Sequence, residues 1–330
     1  MKTFTEYILE KKSQSSKCIE FAEKIIDSFK NAKNPDVSLY DKMPEELQKH
    51  KSLTDKDKIL NIKCYNNLTY FDGCKKKLWF IVLNNNEVHN EFNVVDSKDS
   101  DSDYYIIINA NDKDAYKGLM KSADVVSHEL RHMWDEISGQ NATGINQTYT
   151  EDDIGKYDNF LYYISPTEQN AMYTSLAHKA KRKEVREMIQ NSFIKISKEA
   201  KSDNIDDIFA VYTKMMKTAR ETNADPLNNG AKIGDENTCR EYDPMGLRFI
   251  EYNFYIMNSE ESFKKFINGY EKKPDDYKHL ITGLGVFLGK DDKITANEDE
   301  RISIIYKNLK KYYDETYKKY EQLIKNILKK

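Results

Sequence analysis

Three features of this chain predict an α+β fold with a small sheet and a mainly helical C-terminal half. The first is the run Tyr104-Tyr105-Ile106-Ile107-Ile108-Asn109-Ala110, β-branched and aromatic, which reads as a strand. The second is the switch to a helical apolar period just after it, past the turn Asn111-Asp112. The third is helical patterning that continues from residue 166 nearly to the end of the chain.

Taken in order, residues 1–60 read as a helical N-terminal extension. Phe4, Tyr7 and Ile8, then Ile19, Phe21, Ile25, Ile26 and Phe29 stand at helical spacing, and Pro35-Asp36 interrupts them. Residues 61–200 are expected to form the core that carries the chemistry. In it Leu78 to Leu83 is a strand, Asn84-Asn85-Asn86 a turn and Val88 to Val95 a second strand. Ser97 to Asp103 reads as a polar, acidic loop before the Tyr104 strand. Val126, Leu130, Met133, Trp134 and Ile137 then recur at i, i+4, i+7, i+8 and i+11, one apolar stripe on a helix. Residues 139–164, rich in Gly, Asn, Thr, Asp and Tyr, form a long connection, of a length that usually serves a function. Residues 201–330 are a helical C-terminal region. Helices are expected over 166–200, 204–223, 244–258, 260–270, 276–289 and 297–328, with a second long loop from Asn223 to Pro244.

The stretch His128-Glu129-Leu130-Arg131-His132 lies on the striped helix. Histidines at i and i+4 stand one above the other on one helix face, so both imidazoles can reach one metal ion. The stripe centres roughly 190° around the helix from the two histidines, so one face packs and the other offers them. Glu129 sits where its carboxylate can take a proton from a metal-bound water. Zinc in a hydrolytic site usually takes three protein ligands, and the metzincin continuation is absent, since Asp135 stands where a glycine and Ser138 where a histidine would be needed. Ser165-Pro166-Thr167-Glu168 marks a helix start, with Ser165 as N-cap and Glu168 in the first turn. Glu168 is therefore the candidate third ligand, and Ala171 one turn later would let its helix come close. The same Ser-x-x-Glu is also a capping box, in which Glu168 bonds back to the Ser165 backbone. Asp135 and Glu136 share the histidine helix and point badly. His178, ~15 Å from Glu168 by helical rise, suits a surface position or a supporting contact.

The order of strand, His-Glu-Leu-Arg-His helix and Tyr-Tyr-Ile-Ser-Pro-Thr-Glu-Gln-Asn-Ala helix resembles the gluzincin-type metallopeptidases, especially zincin-like proteins encoded by tailed phages. The resemblance covers residues 75–180 and implies a zincin-like domain. It implies Zn2+ held by His128, His132 and Glu168, with Glu129 as the catalytic base. Gluzincins of the thermolysin kind carry an aspartate where Met172 stands here, so the group that orients a ligand histidine is unassigned. Tyr162, Tyr163, Tyr173 and His178 are candidates for that support or for a transition-state donor. The first ten residues, ending Ile8-Leu9-Glu10, resemble the capsid-targeting segment of internal head proteins of tailed phages; an ordinary N-terminal helix has the same pattern.

At 330 residues the chain can bury one large core or two small ones. Charged residues make up 32%, yet 23 tyrosines and 14 phenylalanines supply the apolar surface that a core needs. Net charge is −3 with both signs interspersed, which predicts no nucleic-acid partner. Cys18, Cys64, Cys74 and Cys239 form no C-x-x-C pair and fit a reducing cytosol. No apolar run approaches the ~18 residues of a membrane span, so no membrane partner is expected. The N-terminus lacks a secretory apolar segment, so the expected location is the host cytoplasm or a virion assembled there.

The leading expectation is a zinc-dependent metallopeptidase acting on a protein or peptide substrate, which the Tyr104–Ala110 strand would align by main-chain pairing if it lies at the sheet edge. The alternative is a virion structural or cargo protein, in contact with other virion proteins, that keeps a zincin fold without turnover. A zincin that cleaves a phage repressor usually has a DNA-binding helix-turn-helix nearby, and no such element is evident here. Glu129 favours activity, since a purely structural site needs only the ligands.

Overall fold

The computed structural model describes residues 4–31, 36–66, 68, 71, 74–85, 90–97, 100–138, 166–235, 239, 242–270, 274–288 and 297–329. The chain divides into two compact units, Met1–Ala142 with Asn170–Lys179, and Thr143–Gln169 with Ala180–Lys330. The cut falls inside one continuous helix, Pro166–Lys179, most of which belongs to the first unit.

The first unit holds α1 (Phe4–Ser28), the short α2 (Glu45–Gln48), strands β1 (Ile59–Tyr65), β2 (Leu78–Leu83), β3 (Glu91–Ser97) and β4 (Ser100–Asn109), then α3 (Ala115–Lys121), α4 (Ala123–Ile137) and α5 (Pro166–Lys179). The sheet order is β1-β2-β4-β3. β2 and β4 run parallel, with Leu78 opposite Tyr104 and Ile81 opposite Ile107, while β1 and β3 are antiparallel to their neighbours. Every residue of β2 is buried, which is why its sequence is a continuous apolar run rather than an alternating one.

Successive side chains point to opposite faces, and each face has its own core. Leu78, Phe80 and Val82, with Tyr104, Ile106 and Ile108, pack in one core with Ile25 and Phe29 of α1, Leu119 of α3 and the stripe Val126, Leu130, Met133 and Trp134 of α4. Trp79, Ile81 and Leu83, with Tyr105 and Ile107, pack in the other core with Tyr40, Met43, Leu47 and Leu53. Residues 18–29 and 40–53 are thus core-forming parts of this unit. The compact units are drawn differently from a segmentation of the sequence at residues 60 and 200.

Three local expectations are corrected. The polar stretch before Tyr104 is strand: β3 runs to Ser97, β4 starts at Ser100, and Val95 pairs with Asp103. Asp103 is buried, and its carboxylate accepts from Trp79 Nε1 at 3.1 Å and from the Lys77 amide at 3.4 Å. Cross-strand pairing thus overrides a composition poor in strand formers. β4 is not at the sheet edge; it lies between β2 and β3, and β3 is an edge strand of this sheet. Finally, the helix expected over 166–200 is two, α5 and α6 (Lys183–Ala200), because Arg182 adopts an extended φ of −76° and ψ of 125°. No proline or glycine marks that break.

The second unit is helical: α6, α7 (Ile205–Thr222), α8 (Arg248–Tyr255), α9 (Glu260–Asn268), α10 (Pro274–Leu284) and α11 (Glu298–Lys329), with a two-residue ladder of β5 (Ala224–Asp225) and β6 (Ala231–Lys232) after α7. Phe209 of α7 meets Phe193 of α6 and Tyr317 of α11 at ring distances of 6.3 and 5.4 Å. Asn204 caps α7 by accepting from the Asp206 amide at 2.9 Å. Arg220 on α7 pairs with Glu251 on α8, and Tyr212 donates to Asp243 at 2.6 Å. No helix among the described residues is long and apolar enough to cross a membrane. The chain is therefore an α+β protein with a small mixed sheet and a helical C-terminal part.

The backbone of α3 passes against the end of β4 at Gly118. A Cβ on Gly118 would lie 2.3 Å from Ala110 Cβ and 2.6 Å from the Ala110 carbonyl oxygen. Replacing a helical glycine by alanine ordinarily gains about 0.5–1 kcal/mol, whereas overpacking against backbone costs about 1–3 kcal/mol. The clash wins here. Gly118→Ala is expected to destabilise the protein by about 1–2 kcal/mol on those magnitudes, read as a lower urea midpoint at unchanged slope.

Candidate metal centre

The apolar stripe decides which way α4 faces. Val126, Leu130 and Met133 are fully buried and Trp134 is nearly so, while His128 and His132 are half-buried. With the stripe locked in the core, the opposite face carries the histidines, and their Nε2 atoms lie 3.1 Å apart. The rings meet at 76° with centroids 4.8 Å apart. Two imidazole nitrogens bound to one zinc at ~2.0–2.1 Å and a near-tetrahedral angle stand roughly 3.3 Å apart. The pair already has that spacing.

Glu168 lies in the first turn of α5 and is 7% exposed. One ligand atom from each of His128, His132 and Glu168 lies within 4.8 Å of the other two. Two ring nitrogens and a carboxylate oxygen are a donor set suited to zinc, whereas calcium and magnesium favour oxygen alone. The residues present therefore fit the ion. Glu129, the candidate base, is also 7% exposed and follows His128 directly on α4.

What holds Glu168 there is the docking of α5, and its fasteners are polar. Asn170 Nδ2 donates to Asp135 Oδ2 at 3.1 Å. Ser175 Oγ donates to Asp124 Oδ2 at 3.2 Å, and Lys179 Nζ lies 3.1 Å from the same oxygen. His178 Nδ1 lies 3.1 Å from Ser127 Oγ. Thr174 shares a 2.9 Å hydroxyl contact with Ser15 of α1. Pairing 170 with 135 and 178 with 127 makes α5 antiparallel to α4. Ala171 is fully buried, so the helix that carries Glu168 packs closely there.

Behind this contact lies a buried ion pair. Arg131 is 1% exposed and Asp135 fully buried; Arg131 Nη2 donates to Asp135 Oδ1 at 2.7 Å and Nη1 donates to Gln14 Oε1 at 3.0 Å. Asp135 is thus a structural acid, consistent with its poor direction as a ligand. Sequence reasoning missed the role of Arg131, Asp135, Asn170 and Gln14. Its one available signal was the i, i+4 spacing of Arg131 and Asp135 on the histidine side of the helix.

The other candidates fall elsewhere. His178 is 4% exposed, so a surface position does not hold; it fastens α5 at Ser127, with Nε2 3.8 Å from Glu23 Oε1. Tyr173 is half-buried, ~140° around α5 from Glu168. Burial raises its phenol above the ordinary value, so it is protonated at neutral pH. Tyr162 and Tyr163 lie outside the described residues, as does Ser165, so the capping alternative for Glu168 has no geometry to weigh. No protein-family model, curated protein or solved structure matches this chain.

Removing one partner of a buried ion pair leaves an uncompensated charge, at a cost of about 3–5 kcal/mol, whereas replacing both by apolar residues can be neutral. Arg131→Met is therefore expected to lose about 3–5 kcal/mol in urea unfolding. Arg131→Met with Asp135→Leu removes the stranded charge and should recover part of that loss, since Gln14 and Asn170 lose these hydrogen bonds.

Proposed function

We propose that the chain is a zinc-dependent metallopeptidase whose first unit is a zincin-like domain with a gluzincin-type ligand set. The observation that carries this reading is the 3.1 Å approach of His128 and His132 Nε2 with a Glu168 carboxylate oxygen within 4.8 Å of both. His128, His132 and Glu168 hold the ion. When bound, zinc lowers the pKa of a water toward neutrality and polarises a carbonyl oxygen.

The chain's own residues do the rest. The Glu129 carboxylate accepts the proton of the attacking water and passes it to the leaving amide nitrogen. Its near-complete burial beside the histidines keeps bulk water from competing for that proton. The sheet edge assigned in the sequence to Tyr104–Ala110 belongs to β3, so β3 takes the role of aligning an extended peptide by main-chain pairing. Phe92 and Val94 of β3 pack against the core that holds the apolar face of α4, which ties that edge to the histidine helix. A protein or peptide in extended form is the substrate class this arrangement suits.

Elemental analysis after dialysis should find one zinc per wild-type chain, and none at stoichiometric level in His128→Ala or His132→Ala. Glu129→Gln should retain zinc and lose casein hydrolysis by about 10²–10⁴-fold, the usual worth of a positioned base. Wild-type turnover in Glu129→Gln would remove the peptidase reading.

Glu168→Gln separates ligand from cap. Glutamine also serves in a capping box, so the helix should persist by circular dichroism while zinc affinity falls strongly. Unchanged affinity would make Glu168 a cap and require another third ligand.

A further inference from the structure

A two-histidine helix is preorganised by its own hydrogen bonds, but the third ligand comes from a separate helix whose roll must be set. On α5, Asn170 and Glu168 are two residues apart, ~200° around the axis, so they occupy opposite flanks of the face turned to α4. On α4, Asp135 follows His132 by three residues and projects ~60° to one side of it. A hydrogen bond at the Asn170 flank therefore resists the rotation that would carry Glu168 away from the histidines. It lies nearer in sequence to Glu168 than the contacts at Ser175 and His178 do.

Asp135 is suited to that task because it has no freedom of its own. It is fully buried, one oxygen is taken by Arg131 at 2.7 Å and the other by Asn170 at 3.1 Å. Arg131 is in turn held by Gln14 of α1 at 3.0 Å. A buried pair of this kind adds little net stability over an apolar one, so its worth lies in geometry.

We propose that Asp135 and Asn170 are positioning residues for the metal centre: their hydrogen bond fixes the roll of α5 and brings the Glu168 carboxylate to the histidine pair. The proposal rests on the zinc reading above and fills the supporting role left empty by Met172.

The test is zinc affinity of the full-length chain, measured by competition with a chromophoric chelator, alongside urea unfolding of the metal-free protein. Asn170→Ala should weaken zinc binding about 10–100-fold, the usual effect of losing an outer partner. Ser175→Ala removes a contact of the same two helices at Asp124, seven residues from Glu168, and should weaken zinc binding far less than Asn170→Ala does. The exchange Asp135→Asn with Asn170→Asp reverses donor and acceptor across the two helices and moves the carboxylate one hydrogen bond further from Arg131; it should restore part of the affinity lost in Asn170→Ala. Wild-type affinity in Asn170→Ala overturns the proposal, as does an equal loss in Ser175→Ala, which would mean general helix docking. A wild-type chain that binds zinc no better than His128→Ala overturns the zinc reading and the positioning role with it. In the first two outcomes the wild type still binds, so the failures are distinguishable.

Discussion

Helix α4 must be buried on two faces of opposite chemistry, and the first unit is built around that constraint. Its apolar stripe lies fully in the core with α1 and the sheet. Its other face is nearly as dry: Asp124, Ser127, Glu129, Arg131 and Asp135 are each at most 7% exposed. A polar face taken out of water must find partners within the protein or incur roughly 1–3 kcal/mol for each group left unmet. Gln14, Asn170, Ser175, His178 and Lys179 supply partners, so the polarity of α4 dictates what α1 and α5 must carry where they meet it. The histidines on that face are only half-buried, which is where a ligand or ion can approach.

The sheet makes this arrangement stiff. β2 and β4 are interior strands, and their faces contribute to two separate cores. A slip of one residue in their register would exchange the contents of those cores. Asn111 at φ 47° turns the chain out of β4, and the close pass of Gly118 over Ala110 sets α3 against the strand end. α4 begins two residues after α3 ends, so the position of the histidines along the sheet follows from that near-contact of backbone.

How much of this was legible in the sequence depended on range. The strand runs Leu78–Leu83 and Tyr104–Asn109 and the stripe on α4 are local patterns, and they appear where periodicity places them. The C-terminal helices likewise keep their order. The start of β4 at Ser100 was hidden because its stability comes from pairing with β3 and from Trp79 and Lys77 reaching Asp103. α5 was harder still: Ala171, Thr174 and His178 form a buried face of mixed chemistry that no apolar template detects. Its separation from α6 has no breaker residue to announce it. The Arg131–Gln14 contact joins residues 117 positions apart, and neither residue type suggests a buried partner. The ligand residues could be named because imidazole pairs have a fixed helical spacing; what steadies them could not, because hydrogen-bonded networks have none.

The same range argument bears on how such a site would work. His128 and His132 are four residues apart on one helix, so α4 alone puts their rings within reach of each other, here with Nε2 atoms 3.1 Å apart. Glu168 lies 36 positions beyond His132, and its approach depends on α5 being docked. An ion bound by all three residues would therefore stabilise the docked form over any in which α5 has come away, in proportion to its preference for that form. Polar fasteners suit such a coupling better than an apolar seam would. Each is short-ranged and directional, so a small roll of the helix breaks it outright instead of sliding along a greasy surface. These hydrogen bonds thus hold together in one geometry, and that geometry brings the three ligand groups together.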